Sequence, residues 1–224
     1  MSVLVIASHP DDEVLGCGGT IAKLSKHNTV YTLILGQGIA SRDISESEKI
    51  KGLEKIKNES ERANKILGVK KIFFDDFPDN AFDTAPLLSI IKSIEKVMRE
   101  TKPSVIFTHH HGDLNIDHQI TNKAVFTAAR PIGNYSVKKI LTFEVLSSTE
   151  WHSKNRRDIF GPNIYIDISK TIGKKLSAMQ CYKSELRPYP HPRSLEGIKI
   201  LAKKRGLEVG LKYAEAFYLA RSIE

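Results

Sequence analysis

The sequence predicts one three-layer α/β/α domain on a mostly parallel sheet, spanning residues 1–224. Three observations carry this. β-branched apolar runs alternate with stretches of helical spacing along the chain. No repeat, low-complexity tract or Gly/Ser- or Pro-rich linker divides it. A chain of this length buries about 70% of its unfolded surface in a single core. Strand–helix alternation gives parallel pairs joined by right-handed crossovers, so the expected arrangement is Rossmann-like.

The elements follow in order. Ser2 to Ser8 is an apolar, β-branched run and reads as a buried strand. Asp11 to His27 reads as a helix with acidic residues at its start. Thr29 to Leu35 is a strand ended by Gly36-Gln37-Gly38. Ser45 to Leu67 has apolar residues at Ile50, Leu53, Ile56, Ala63 and Ile66 or Leu67, and Gly68 is a suitable C-cap. Lys70 to Phe74 is the third strand, Thr84 to Glu100 a helix and Ser104 to Thr108 the fourth strand. Ile116 to Ala129 is helical, Lys139 to Val145 a fifth strand and Ile164 to Ile168 a sixth. Ser169 to Tyr182 and Ser194 to Lys204 read as helices. Leu211 to Arg221 fits strand or helix equally.

Composition narrows the class. Apolar residues make up 41% and charged residues 27% of the chain, which fits a soluble globular protein. No apolar run approaches the length of a membrane span, and no signal peptide is expected. Two cysteines, Cys17 and Cys181, cannot build a disulfide framework, so the expected compartment is the reducing cytoplasm. The net charge is +8. Taken alone it points to nucleic acid, a membrane surface or an anionic substrate.

In a 3-2-1-4-5 sheet, strands 1 and 4 are neighbours where the strand order reverses, and ligands bind beyond their carboxyl ends. After strand 1 comes Ser8-His9-Pro10-Asp11-Asp12-Glu13. After strand 4 comes His109-His110-His111-Gly112-Asp113-Leu114-Asn115-Ile116-Asp117-His118. Five of the eight histidines fall in these two segments. Singly, the acids suit a helix start and the histidines a solvated loop. Jointly, they bring imidazoles and carboxylates to one crevice. Imidazole nitrogens with a carboxylate oxygen form a catalytic zinc set, and a further carboxylate suits a general base.

The segment Ala7-Ser8-His9-Pro10-Asp11-Asp12-Glu13, with Val14-Leu15-Gly16-Cys17-Gly18-Gly19-Thr20 after it, resembles the opening of the LmbE/PIG-L family of zinc-dependent N-deacetylases. Thr108-His109-His110 and Asp113 to His118 resemble that family's second motif. Phe77-Pro78-Asp79, Phe143-Glu144-Val145, Ser148 to Trp151, Tyr182 to Glu185, Pro190 to Ser194 and Tyr213 to Phe217 extend the likeness over nearly the whole chain. The resemblance implies one zinc ion per chain, held by His9, Asp12 and His118. It implies Asp11 as general base and Asp117 as an orienting residue. The implied reaction hydrolyses the N-acetyl group of an N-acetylglucosamine-type sugar or conjugate.

Two positions depart from the thiol-biosynthesis members of that family. Asn115 stands where they carry a histidine that helps the tetrahedral intermediate, with His110 the second candidate for that task. Ile56, between Lys55 and Lys57, stands where they carry a substrate-contacting arginine. Both departures bear on the substrate more than on the reaction. Asp79, Trp151, His191 and Arg193 are further candidates for substrate contact, with turn, packing and surface ion-pair roles as the competing readings. Gly16, Gly18 and Gly19 lack dinucleotide-loop spacing and suit close helix–strand packing.

The leading expectation is therefore a zinc-dependent deacetylase of a small acetylated amino sugar, possible targets including phosphorylated and nucleotide-linked forms. A metal-dependent hydrolase of another amide or ester is the alternative. Nucleic-acid binding ranks last, because aromatic content is 8% and the His/Asp clusters stay unexplained by it. The excess lysine reads mainly as a solvated surface. The sequence leaves homo-oligomerisation open.

Overall fold

The strand β1 (Ser2–Ala7) lies at the centre of the five parallel strands and is buried from Val3 onward. It pairs in parallel with β2 (Thr29–Gly36) on one side and β4 (Val105–His109) on the other. Outward from β2 comes β3 (Lys71–Phe77), and outward from β4 comes β5 (Lys139–Phe143), both parallel to their neighbours. The structure is a computed structural model and describes residues 1–38, 46–132, 137–153, 155 and 157–224.

Strand periodicity divides the core into two layers. Val3, Val5, Phe107, Leu141 and Phe143 face one side, and Leu4, Ile6, Ile106 and Ile140 the other. Helices α1 (Asp12–Leu24), α2 (Glu46–Leu67) and α5 (Ile172–Met179) cover the first face. Helices α3 (Leu87–Thr101) and α4 (Ile116–Ala128) cover the second. Ser45, expected to open α2, lies outside the described residues. Among the described residues, no helix is long and apolar enough to cross a membrane.

The ambiguous tail is a strand. β7 (Ala214–Ser222) inserts between β5 and β6 (Ile164–Asp167), antiparallel to both. The order is β3-β2-β1-β4-β5-β7-β6, the expected 3-2-1-4-5 core with an added antiparallel edge. The expected helix from Ser169 is shorter, because Asp167, Ser169 and Thr171 form the turn that leaves β6. α6 (Leu195–Leu207) packs beside β7 and carries Arg205 in its last turn. Its guanidinium forks onto Glu144 with two 2.7 Å contacts.

The tail strand also repairs a break in α1. Cys17 has φ −146° and ψ 23°, which interrupts the helical ladder. The freed N–H groups of Gly19 and Thr20 donate to Glu215 of β7 at 2.9 and 2.7 Å. Lys175 of α5 donates to the freed carbonyl of Leu15 at 2.8 Å and pairs with Glu215 at 2.6 Å. A buried ion pair thus satisfies the orphaned backbone that would otherwise destabilise the kink. The glycines let neighbouring side chains close in. A Cβ on Gly16 would lie 2.3 Å from Phe143, and one on Gly19 would lie 2.8 Å from Ile168. Overpacking of a filled core costs about 1–3 kcal/mol. Gly16→Ala should show that loss as a lower midpoint in urea unfolding, and an unchanged midpoint would contradict the packing argument.

Candidate active site

The carboxyl ends of β1 and β4 open side by side, and each leads into a helix start. Asp12 and Glu13 occupy the first turn of α1, and Asp117 and His118 the first turns of α4. Acidic side chains there suit the positive helix ends. Asn115 caps α4 by accepting the Asp117 N–H at 2.8 Å.

One carboxylate oxygen is the meeting point. Asp12 Oδ2 lies 3.4 Å from His9 Nδ1 and 3.2 Å from His118 Nε2, and it accepts the backbone N–H of His9 at 2.9 Å. Each imidazole presents its other nitrogen to a second carboxylate. His9 Nε2 lies 2.8 Å from Asp117 Oδ2 and 3.3 Å from Asp79 Oδ1. His118 Nδ1 lies 3.1 Å from Asp113 Oδ1. Asp117 is held in turn by the N–H of Phe82 at 2.9 Å, and Asp113 by the hydroxyls of Ser148 and Thr149.

This donor set fits a metal ion. One atom each from His9, Asp12 and His118 lie within 4.8 Å of one another. Both imidazoles are oriented by a carboxylate behind them, as in carboxylate–histidine–metal arrangements. A second grouping of His9, Asp79 and Asp117 meets the same distance limit. It uses the other nitrogen of His9, and Asp117 already accepts the Phe82 N–H, so we read those two carboxylates as His9's orienting partners.

The electrostatics of the cluster follow from these contacts. Burial pulls His9 down, but hydrogen bonds to Asp117 and Asp12 outweigh it and lift the imidazole to about 10. Burial is likewise outweighed at His118, which the carboxylates of Asp12 and Asp113 raise to about 9. Asp12 is held well below the usual carboxylate range: its burial is overcome by the facing His118 and His109. Asp113 drops to about 2 against its burial, held by His118 and the two hydroxyls.

The sequence reading missed His109. It is wholly buried, stacks on His118 with ring centroids 3.9 Å apart, and its Nε2 accepts the Ser8 N–H at 2.9 Å. Burial and the neighbouring His118 keep it neutral. The signal was present: strand alternation that aims His109 into the crevice turns His110 away. His110 accordingly packs edge-on against Phe160, and its Nε2 donates to the carbonyl of Asp158 at 3.0 Å. Its polar contact therefore goes to the Asp158 loop and not to the three ligand atoms. Asn115 is engaged as a cap, and its Nδ2 donates to Asn80 at 2.9 Å. Each candidate thus makes a polar contact away from the three ligand atoms.

Asp11 is buried beside this cluster, with its Oδ2 3.3 Å from Arg193 Nη1. Burial pushes its carboxyl well above the usual range, although Arg193 pulls it down. Arg193 is therefore part of a half-buried ion pair and also contacts Glu185 at 3.5 Å. Its backbone N–H donates to His191 Nδ1 at 3.1 Å, and His191 meets the exposed Trp151 edge-on at 5.8 Å. Trp151, His191 and Arg193 thus form a continuous line leading to Asp11. Asp79 lies apart from them, buried against His9.

Imidazoles bind metal in the neutral form, so a metal held by His9 and His118 would displace the protons that the facing carboxylates favour there. Calorimetric titration of a divalent metal into metal-free protein at pH 7 should show buffer-dependent heat from that release. The release should shrink as pH approaches the raised values of about 9 and 10. Buffer-independent heat at pH 7 would contradict the arrangement.

Residues 4–129 match the family model described as PIG-L, GlcNAc-PI de-N-acetylase. The chain is 24% identical over 190 residues to a probable N-acetyl-alpha-D-glucosaminyl L-malate deacetylase 2 of Bacillus anthracis, covering 82% of this chain and 80% of that one. It is 26% identical over 218 residues to a diacetylchitobiose deacetylase of Thermococcus kodakarensis, covering 95% and 80%. In structure it is similar to the conserved protein TT1542 of Thermus thermophilus, with a TM-score of 0.79, 23% identity and coverage of 100% and 96%. The crevice between β1 and β4 lies within the matched residues, and on that match the chain belongs to the PIG-L family of de-N-acetylases.

Proposed function

We propose that this chain is a zinc-dependent hydrolase that removes the N-acetyl group from an N-acetylglucosamine-type sugar or sugar conjugate. The carrying observation is the convergence of His9, Asp12 and His118 beside the buried, arginine-paired carboxylate of Asp11. The names of the relatives, which are deacetylases of acetylated glucosamine compounds, support the substrate class.

His9, Asp12 and His118 would hold one zinc ion. A zinc ion supplies Lewis acidity, which polarises a carbonyl and brings the pKa of water near 7. The chain's own residues do the rest. Asp11 accepts a proton at its carboxylate as water attacks the amide carbon. It then gives that proton to the departing amine, so one C–O bond forms, one C–N bond breaks, and acetate and a free amine leave. The raised affinity of buried Asp11 for a proton suits the second half of this cycle, and Arg193 keeps the carboxylate available for the first. Asp113, Asp117 and Asp79 hold the imidazoles in one tautomer. Trp151, His191 and Arg193 form a rim suited to a sugar ring, with the indole partly exposed.

The reading extends to the whole of residues 1–224 as one Rossmann-like domain. Free Cys17 and Cys181 suit a reducing compartment, which we take to be the cytoplasm.

Asp11→Asn should retain its metal, measured by elemental analysis, and lose about 10²–10⁴ in turnover. Turnover is read as acetate released from N-acetylglucosamine, N,N′-diacetylchitobiose, and lipid- and nucleotide-linked N-acetyl sugars. Undiminished acetate release from the metal-loaded variant would sink the assignment.

A further inference from the structure

Asp11 has φ 101° and ψ −28°, a left-handed conformation that a side chain with a Cβ rarely adopts. Such a conformation persists only where the surroundings hold it. Three contacts do so here. The Asp11 carbonyl accepts the N–H groups of Val14 and Leu15 at 3.0 and 2.8 Å, which starts α1. Its carboxylate meets Arg193. Its N–H donates to Glu13 Oε2 at 3.1 Å.

Glu13 is an unusual partner. It is wholly buried, and the described hydrogen bonds to its side chain come from neutral donors. Its other oxygen, Oε1, accepts from Tyr182 Oη at 2.6 Å and Asn64 Nδ2 at 2.8 Å. Asn64 is held by Thr32 Oγ1 at 3.0 Å and donates again to the carbonyl of Ser60. This network reaches from α2, β2 and the turn after α5 to one backbone N–H beside the reacting centre. An apolar residue would fill the space at lower desolvation cost, so the carboxylate calls for a reason.

The reason is a count of donors. Three N–H or O–H groups point at this side chain, and a carboxylate accepts them with both oxygens. A glutamine has one acceptor oxygen. With that oxygen facing Asn64, its amide N–H would face the N–H of Asp11, donor against donor.

We infer that Glu13 is the positioning residue for the reaction, holding the backbone of Asp11 in its left-handed conformation so that the Asp11 carboxylate faces the ligand cluster and Arg193. This rests on the reading of Asp11 as the base. Glu13 touches neither ligand atoms nor substrate in this role. It acts through Asp11 alone.

The test uses Glu13→Gln, with Glu13→Asp as the second variant should the first fail to fold. The shorter aspartate keeps the charge but cannot span from Tyr182 to the Asp11 N–H. The crystal structure of either variant should show Asp11 out of the left-handed region, a readout that needs no substrate. With N,N′-diacetylchitobiose as substrate, kcat should fall about 10–100-fold, as for other outer-shell partners of metal sites. KM should stay within about threefold. In an Asp11→Asn background, adding Glu13→Gln should change the residual rate less than about twofold, because the two residues act as a unit. A merely structural role would instead multiply the two losses. An unmoved Asp11 with unchanged kcat, or multiplying losses, would overturn the inference. Full turnover by Asp11→Asn would instead remove the base assignment on which it stands.

Discussion

The site depends on one oxygen atom. Asp12 Oδ2 receives His9 from the loop after β1, His118 from α4 and the backbone N–H of His9. His9 and His118 are more than a hundred residues apart in sequence, and only the pairing of β1 with β4 brings them within reach. That pairing sits where the strand order reverses, so no loop has to cross between the two strand ends and the crevice stays open. The central position of β1 is what makes this rigid. Its residues are buried on both faces, and a slip of one position would exchange Val3 and Val5 with Leu4 and Ile6 and move His9 away from α4.

Much of this was legible from residue order alone. Strand–helix alternation predicted the parallel core, and the His/Asp segments after strands 1 and 4 marked the crevice where the candidate ligands of the family resemblance meet. What was illegible needed distance information. Leu211 to Arg221 has an apolar pattern that serves either period, and its fate was decided by Glu215, whose carboxylate reaches the broken turn of α1. No local signal in the tail announces a kink two hundred residues earlier. The surroundings of His110 and Asn115 were hidden for a related reason. The family resemblance offers both as helpers of a tetrahedral intermediate. Strand alternation turns His110 to Asp158, and the cap geometry of α4 engages Asn115.

The basic composition also takes on a different meaning. A chain of net charge +8 collects Asp11, Asp12, Glu13, Asp79, Asp113 and Asp117 in one buried crevice. Such a set of carboxylates repels itself unless cations or hydrogen-bond donors intervene. Here the intervening groups are mainly imidazoles, one guanidinium, hydroxyls and backbone N–H groups. The distributed lysines contribute little across the screened surface, so the charge of the crevice is balanced locally.

Local balance explains how three consecutive acids do three different things. Asp12 faces imidazoles and is pulled down; Asp11 is buried with one arginine beside it and stays high; Glu13 meets neutral donors among the described residues and is lifted by burial to about 7. Side-chain chemistry is nearly identical across the three. The backbone turn at Asp11 separates them, sending one carboxylate to the ligand cluster, one to Arg193 and one into the packed layer under α2. The strained φ of Asp11 is therefore the geometric origin of the division of labour, and Gly16, one turn further on, lets α1 lie tight against Phe143 of β5.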